Sequence, residues 1–142
     1  MSTFNPNALK FEDCVARIET ALKTTPLKKN TIITSRDKES AQLREALRVT
    51  NVPPGFSKWQ LPLYFDKPTH LFISVANPGV HTPEHSHDEG GGIRFIASGS
   101  IIYNGAELTA GDWMFVPAKA KYSFTVGPFG ATMFYCYPCC CA

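Results

Sequence analysis

The chain has 142 residues, 44% of them hydrophobic and 18% charged, with a formal net charge of +2. That length suits one domain around one buried core, and so weak a charge carries no nucleic-acid footprint. No apolar run approaches the roughly 20 residues needed to cross a bilayer, and the first residues, MSTFNPNALKFEDC, lack the basic-then-apolar run of a secretory signal, so a cytoplasmic protein with no membrane or nucleic-acid partner is expected.

Between Ala8 and Lys23 the apolar residues Phe11, Val15, Ile18 and Leu22 recur at helical intervals, which predicts a helix with one buried stripe, closed by Pro26. A second helix is predicted from Arg36 to Arg48. Ser35 is its candidate N-cap, Asp37 and Glu39 favour its first turn, and Leu43, Ala46 and Leu47 lie on its buried side. Leu27 to Thr34 joins the two helices, and Val52-Pro53-Pro54-Gly55 ends the helical part, because neither helix nor central strand continues through two prolines and a glycine.

From Trp59 the texture changes to short β-rich runs separated by Gly, Pro and Asn: WQLPLYF, HLFISVA, a histidine-bearing segment, IRFIA, SIIYN, WMFVP, YSFTV and ATMFYCY. Short strands with turns at such spacing predict an all-β sandwich or barrel. Asn104-Gly105 is a hairpin signal, since both residues tolerate positive φ, and Ala110-Gly111-Asp112 is a second turn. Alternation within Tyr122 to Val126 puts Tyr122, Phe124 and Val126 on one face, so Tyr122 is expected inside.

The histidine segment, GVHTPEHSHDEGGGIRFIASG, is the centre of the functional reading. On an extended strand His81, His85 and His87 leave by one face, and two imidazoles two positions apart can grip one transition-metal ion. His81 is harder to include, because an extended chain holds its Cα about 13 Å from that of His85. Only a bulge near Thr82-Pro83 would bring it into the same sphere; otherwise it touches the ligands or serves as a base. His70 reads as a surface histidine at a strand edge. Arg94 shares the parity of Gly92, which aims its guanidinium inward to anchor an anionic substrate, unless it pairs with Asp88 or Glu89 or lies outside. Asp88 and Glu89 themselves read as solvated turn residues. Cys136, Cys139, Cys140 and Cys141 crowd the carboxyl end and read as a reduced tail rather than a zinc or disulfide site.

Gly79, His85, His87 and Gly99 stand at the intervals of the first motif of the cupin superfamily, G-x5-H-x-H-x4-E-x6-G, with Gly92 where that family has its metal-binding glutamate. Gly111 to Val126 resembles the second motif, G-x5-P-x-G-x2-H-x3-N, at Gly111 and Pro117. There Lys119 replaces glycine, Tyr122 the histidine and Val126 the asparagine. The resemblance spans about residues 57 to 137 and implies an all-β cupin jelly-roll barrel, preceded by a two-helix extension over 1–56 and followed by a Cys-rich tail over 138–142.

It further implies a divalent transition metal held by His85 and His87 with help from His81 or Tyr122. Iron leads, with zinc, manganese or nickel as alternatives. Loss of the glutamate leaves room beside the metal at Gly92, as in the thiol dioxygenase branch of the cupins, so iron-dependent dioxygenation of a small anionic molecule is the leading expectation. In it Arg94 holds the anion and Tyr122 is a phenolate ligand or proton donor, or else simply bonds across the core. The alternatives are an oxygen-independent metal-dependent lyase, isomerase or cyclase, and a non-catalytic ligand-binding cupin. Exposed helices and strand edges make a homodimer a fair expectation.

Overall fold

A computed structural model describes residues 4–138. In chain order its elements are α1 (Phe11–Leu22), β1 (Ile33–Thr34), α2 (Ser40–Ala46), β2 (Arg48–Val49), β3 (Lys58–Trp59), β4 (His70–Ala76), β5 (Gly92–Tyr103), β6 (Ala106–Thr109), β7 (Trp113–Val116) and β8 (Thr125–Tyr137). The chain divides into two compact units, Met1–Lys28 with Lys38–Tyr64, and Lys29–Asp37 with Phe65–Ala142.

The first unit is held by the apolar stripes of its two helices. Ile18, Ala21 and Leu22 of α1 pack with Leu43 of α2 and with Leu47, and Leu27 and Tyr64 lean on that cluster. Tyr64 keeps its hydroxyl satisfied by donating to Glu19 at 2.8 Å. The helical spacing correctly marks α1, yet Phe11 is 66% exposed and the stripe begins a turn later. The second helix is shorter than its sequence pattern, and Ala46 faces solvent.

The reason for the shortening is local chemistry. Asp37 accepts the Thr34 N–H at 2.8 Å, and the Ser35 hydroxyl donates to Asp112 at 2.8 Å, so residues 34–37 bond as a side-chain-stabilised turn instead of opening a helix. That turn follows β1, a two-residue strand that the sequence does not announce, paired with β7 at Ile33↔Phe115 and Thr34↔Met114.

The second unit is an antiparallel sheet in the order β1-β7-β5-β8-β4, with β6 paired to β5. The sheet has margins at β1 and β4 and is not closed on itself. The type of turn expected at Asn104-Gly105 is present, both residues having positive φ between Tyr103 and its partner Ala106. Two pairs of predicted runs fuse into single long strands. IRFIA and SIIYN become β5, with register shifts at Ile96/Ser98 and Gly99/Ile101, while β8 runs unbroken from Thr125 to Tyr137. Gly99 is required at its shift: φ is +68°, and a Cβ there would overlap the Gly130 carbonyl.

One face of this sheet carries the core, including Ile96, Ile101, Leu108, Met114, Val116 and Met133, onto which Tyr122, Phe124 and Val126 fold from the segment before and at the start of β8. On the margin strand β4 the opposite parity, Leu71, Ile73 and Val75, is solvent-exposed. WQLPLYF forms only β3 at its start, and residues 79–91 of the histidine segment form no strand: His81 and His85 make isolated bridges to Thr125 and Tyr122.

Asp112 fastens β1 to the sheet. Its carboxylate accepts from the Ser35 hydroxyl, from Arg36 Nε at 2.9 Å and from the Thr109 N–H at 2.9 Å. Burial works to raise its pKa, but the bonds from Thr109, Ser35 and Arg36 outweigh burial and hold it below the ordinary 3.8. A lowered carboxylate pKa means that this stabilisation is complete above about pH 4 and is lost as the pH falls below it. Asp112→Ala is expected to cost about 2 kcal/mol at pH 7 in chemical denaturation, mostly from the Ser35 and Thr109 bonds because Arg36 is half exposed. The difference from wild type should shrink near pH 3; a variant as stable as wild type at pH 7 would show that β1 is held by other contacts.

Candidate functional site

Two short bridges bring the site together. His85 and Tyr122 exchange backbone hydrogen bonds, 3.1 Å from His85 N–H to Tyr122 O and 3.0 Å in return. The Lys119 N–H bonds the His87 carbonyl at 2.7 Å. These fix the histidine segment over the turn leading into β8, and both imidazoles then reach one phenol: His85 Nε2 and His87 Nε2 each lie 3.1 Å from the Tyr122 hydroxyl. Tyr137, from the end of β8, approaches the same oxygen at 3.4 Å.

Hydrogen accounting orders this cluster. His85 Nδ1 is 2.8 Å from the Pro83 carbonyl, which can only accept, so Nδ1 carries the proton and Nε2 of the neutral ring offers a lone pair. Tyr122 therefore donates its one hydroxyl hydrogen to His85, and His87 Nε2 and the Tyr137 hydroxyl donate to the Tyr122 oxygen. Burial, and then neighbouring His85 and Arg94, hold the His87 imidazole below its ordinary 6.5 against the opposing pull of Asp88. Burial, reinforced by Tyr122 and only partly offset by Arg94, pushes the Tyr137 phenol far up, so it remains a neutral donor.

Two imidazole nitrogens and a phenol oxygen converging on one place can be tested against a metal. Bonds of about 2.0–2.2 Å to a first-row divalent ion separate neighbouring donors by roughly 2.8–3.6 Å, from right-angled to tetrahedral geometry. The two imidazole-to-phenol separations fall inside that range, and a ring whose other N–H is tied to a backbone carbonyl is the usual orientation of a metal-ligating histidine. Both separations are compatible with such an ion once the His87 proton resides on Nδ1, which frees Nε2 to bind. Among the described residues no group of three or more His, Cys, Asp or Glu side chains is so gathered, and any third donor here is the tyrosine.

Beside the cluster lies a cavity of about 190 Å³, with Val80 exposed at its rim and His85, His87 and Tyr137 in its wall. Arg94 enters it from β5. Its guanidinium lies 4.6 Å from the Tyr135 ring centroid and 5.1 Å from that of Phe124, with Nη1 3.6 Å from the Met133 sulfur. Among the described residues no carboxylate forms an ion pair with it, so the Asp88 or Glu89 partnership weighed from sequence is absent and both acids stay exposed.

No protein-family profile matches the chain, and no curated protein does. Solved structures that it resembles include cupins. One is a protein of unknown function with a cupin-like fold from Ralstonia eutropha, with 20% identity and a TM-score of 0.45 over 51% of this chain and 51% of that one. Another is a cupin protein from Bacteroides fragilis, with 20% identity and a TM-score of 0.41 over 79% and 78% of the two chains. A third comes from the complex of Rhodobacter sphaeroides SigE with the anti-sigma ChrR, with 13% identity and a TM-score of 0.45 over 52% of this chain and 41% of that one. The chain thus spans only about half or less of the Rhodobacter and Ralstonia chains.

Of the residues singled out from sequence, His85, His87 and Tyr122 share one hydrogen-bonded cluster, and Arg94 lines the adjoining cavity. His81 is elsewhere: it is exposed, is not among the residues lining the cavity, and holds the Thr125 hydroxyl at 2.9 Å through Nδ1. His70 is exposed at the start of β4. In the carboxyl-terminal group Cys136 is half-buried, which raises its thiol pKa, and Cys139, Cys140 and Cys141 lie outside the described residues.

The space beside Gly92 is not open, contrary to the expectation from its missing side chain. The Tyr137 ring lies against the Gly92 Cα, and a Cβ there would overlap its ring carbons. Tyr137, 1% exposed, is the site residue that sequence reasoning missed. The signal for it was available in ATMFYCY, where Met133, Tyr135 and Tyr137 share one parity.

Two outcomes follow from this packing. Gly92→Ala should cost about 1–3 kcal/mol by overpacking, and most of that cost should vanish in a Tyr137→Ala background; an equal penalty in both backgrounds would show that the ring is not the obstacle. Because the folded protein holds His87 neutral, the unfolded chain binds the proton first as pH falls. Its contribution is therefore complete above about pH 6.5 and is lost as the pH drops below that value. With chelator present, the melting temperature should decline from pH 6.5 to 5 in the wild type and change less in His87→Gln; superimposable profiles would remove His87 as the cause.

Proposed function

We propose that this chain is a cupin whose jelly-roll pocket binds one divalent transition metal beside a small anionic organic molecule, with iron-dependent dioxygenation as the leading reaction. The observation that carries the reading is the convergence of His85 Nε2 and His87 Nε2 on one oxygen at matched distances. The first-motif spacing from Gly79 to Gly99 and the antiparallel sheet support the family assignment.

In this reading His85, His87 and Tyr122 hold the ion, and Arg94 faces the cavity as the anchor for negative charge. When bound, the ion supplies Lewis acidity and, as iron, the redox capacity for dioxygenation. The chain's own part is positioning. The Pro83 carbonyl sets the His85 tautomer, the Tyr137 hydroxyl donates toward Tyr122, and Phe124, Tyr135 and Tyr137 wall off water. Tyr122 can pass its hydroxyl proton at that oxygen, since the Tyr137 hydroxyl stands by to donate to the phenolate.

A second reading is favoured by the completeness of the same network: without an ion the Tyr122 oxygen already has His85, His87 and Tyr137 as partners, which suits a ligand-binding cupin with no catalytic metal. Titration of chelator-treated protein with Co²⁺ separates the two. The metal reading expects one saturable equivalent with a visible d–d spectrum, weakened about 100-fold or more in His85→Ala and His87→Ala and about 10–100-fold in Tyr122→Phe. Indistinguishable titrations of wild type and His85→Ala would leave the ligand-binding reading. Iron-loaded protein that consumes no oxygen with any small carboxylate or thiol would end the dioxygenase assignment alone.

A further inference from the structure

The buried side-chain polar atoms without a hydrogen-bond partner include Ser74 Oγ and Arg94 Nε, and both residues line the same cavity. A buried N–H or O–H left without an acceptor is destabilising, more so when charged, so two in one small cavity call for a ligand that accepts from both. They approach from two strands. Ser74 on β4 pairs across the sheet with Met133 on β8, and Arg94 on β5 reaches over its own partner Tyr135 until Nη1 meets the Met133 sulfur. The guanidinium and the hydroxyl therefore flank one methionine.

We propose that Arg94 and Ser74 together form a carboxylate subsite, and that the cavity takes a small organic monocarboxylate with an apolar body. This rests on the reading of the cavity as a small-molecule site. In the metal-free protein charge selects the class: one guanidinium and no second cation among the lining residues balances one negative charge, whereas a phosphate dianion would keep half of its charge unpaired. The rest of the wall selects the body, because Ala76, Val80, Val126 and Met133 offer only apolar contact. Volume sets the size: 190 Å³ lies below the about 300–1,000 Å³ of pockets for drug-sized ligands, which restricts the acid to a short or branched chain. Tyr135 and Phe124, stacked about the guanidinium, hold it in place and keep water from it.

The test uses chelator-treated full-length protein, followed by ¹H–¹⁵N spectra that include the arginine Nε–H region. The probes are isovalerate, its neutral amide, isopentylamine and inorganic phosphate. Isovalerate should move the Arg94 Nε–H resonance saturably, while the amide, the amine and phosphate bind at least about tenfold more weakly. Ser74→Ala, which removes one oxygen and little volume, should weaken isovalerate about tenfold, and Arg94→Gln should abolish its binding. Equal binding of the amide, or unchanged affinity in Ser74→Ala, overturns the subsite, and Ser74→Ala decides even if Arg94→Gln fails to fold. Protein that takes isovalerate in this way but no Co²⁺ supports the subsite and removes the metal reading; protein that binds Co²⁺ but no isovalerate overturns the subsite alone.

Discussion

Everything at this site depends on one oxygen atom. The Tyr122 hydroxyl accepts or donates to His85, His87 and Tyr137, and it is placed there by the backbone bonds that tie residue 85 to residue 122. The histidine segment has no strand geometry to hold it. Its direction is set by a few bonds to the turn before β8, and the phenol then acts as the stop against which both rings come to rest. An aromatic hydroxyl suits that task because its rigid ring keeps the oxygen in place at small entropic cost. It also leaves the chemistry open, since the same atom can be a bridge between imidazoles or a donor to an ion.

Arg94 carries the second constraint. A positive charge among Tyr135, Phe124 and Met133, with no carboxylate paired to it among the described residues, raises the free energy of the empty pocket. Aromatic faces recover part of that cost, but an accepted anion recovers more. On the reading proposed above, an occupied pocket is the more stable state.

Much of this was legible before any coordinates. The interior placement of Tyr122, Phe124 and Val126 follows from alternation, and the turn at Asn104-Gly105 from its backbone preference. What eluded sequence reasoning has identifiable physical causes. β1 is two residues long, pairs with β7 and is followed by a turn that Asp112, seventy-odd positions away, ties down, which no local pattern can show. The shared parity of His81, His85 and His87 assumed an extended strand, but the stretch around Pro83 makes only isolated bridges, and His81 turns to Thr125. Ser74 is one more polar residue in HLFISVA, and only the strand order puts it in the wall of the same cavity as Arg94.

The contact between Gly92 and Tyr137 constrains the routes by which such a pocket could change its chemistry. The ring fills the volume into which any side chain at position 92 would grow, so the two compete for one space. A chain of this kind could not acquire a carboxylate at position 92 in one step: the glycine would have to wait until the aromatic had been traded for something smaller, and the intermediate would carry a hole where the ring had been. Whichever of the two substitutions came first would leave a less stable protein, and that valley would keep a tyrosine-lined pocket and a glutamate-bearing one apart as separate lineages of the same architecture.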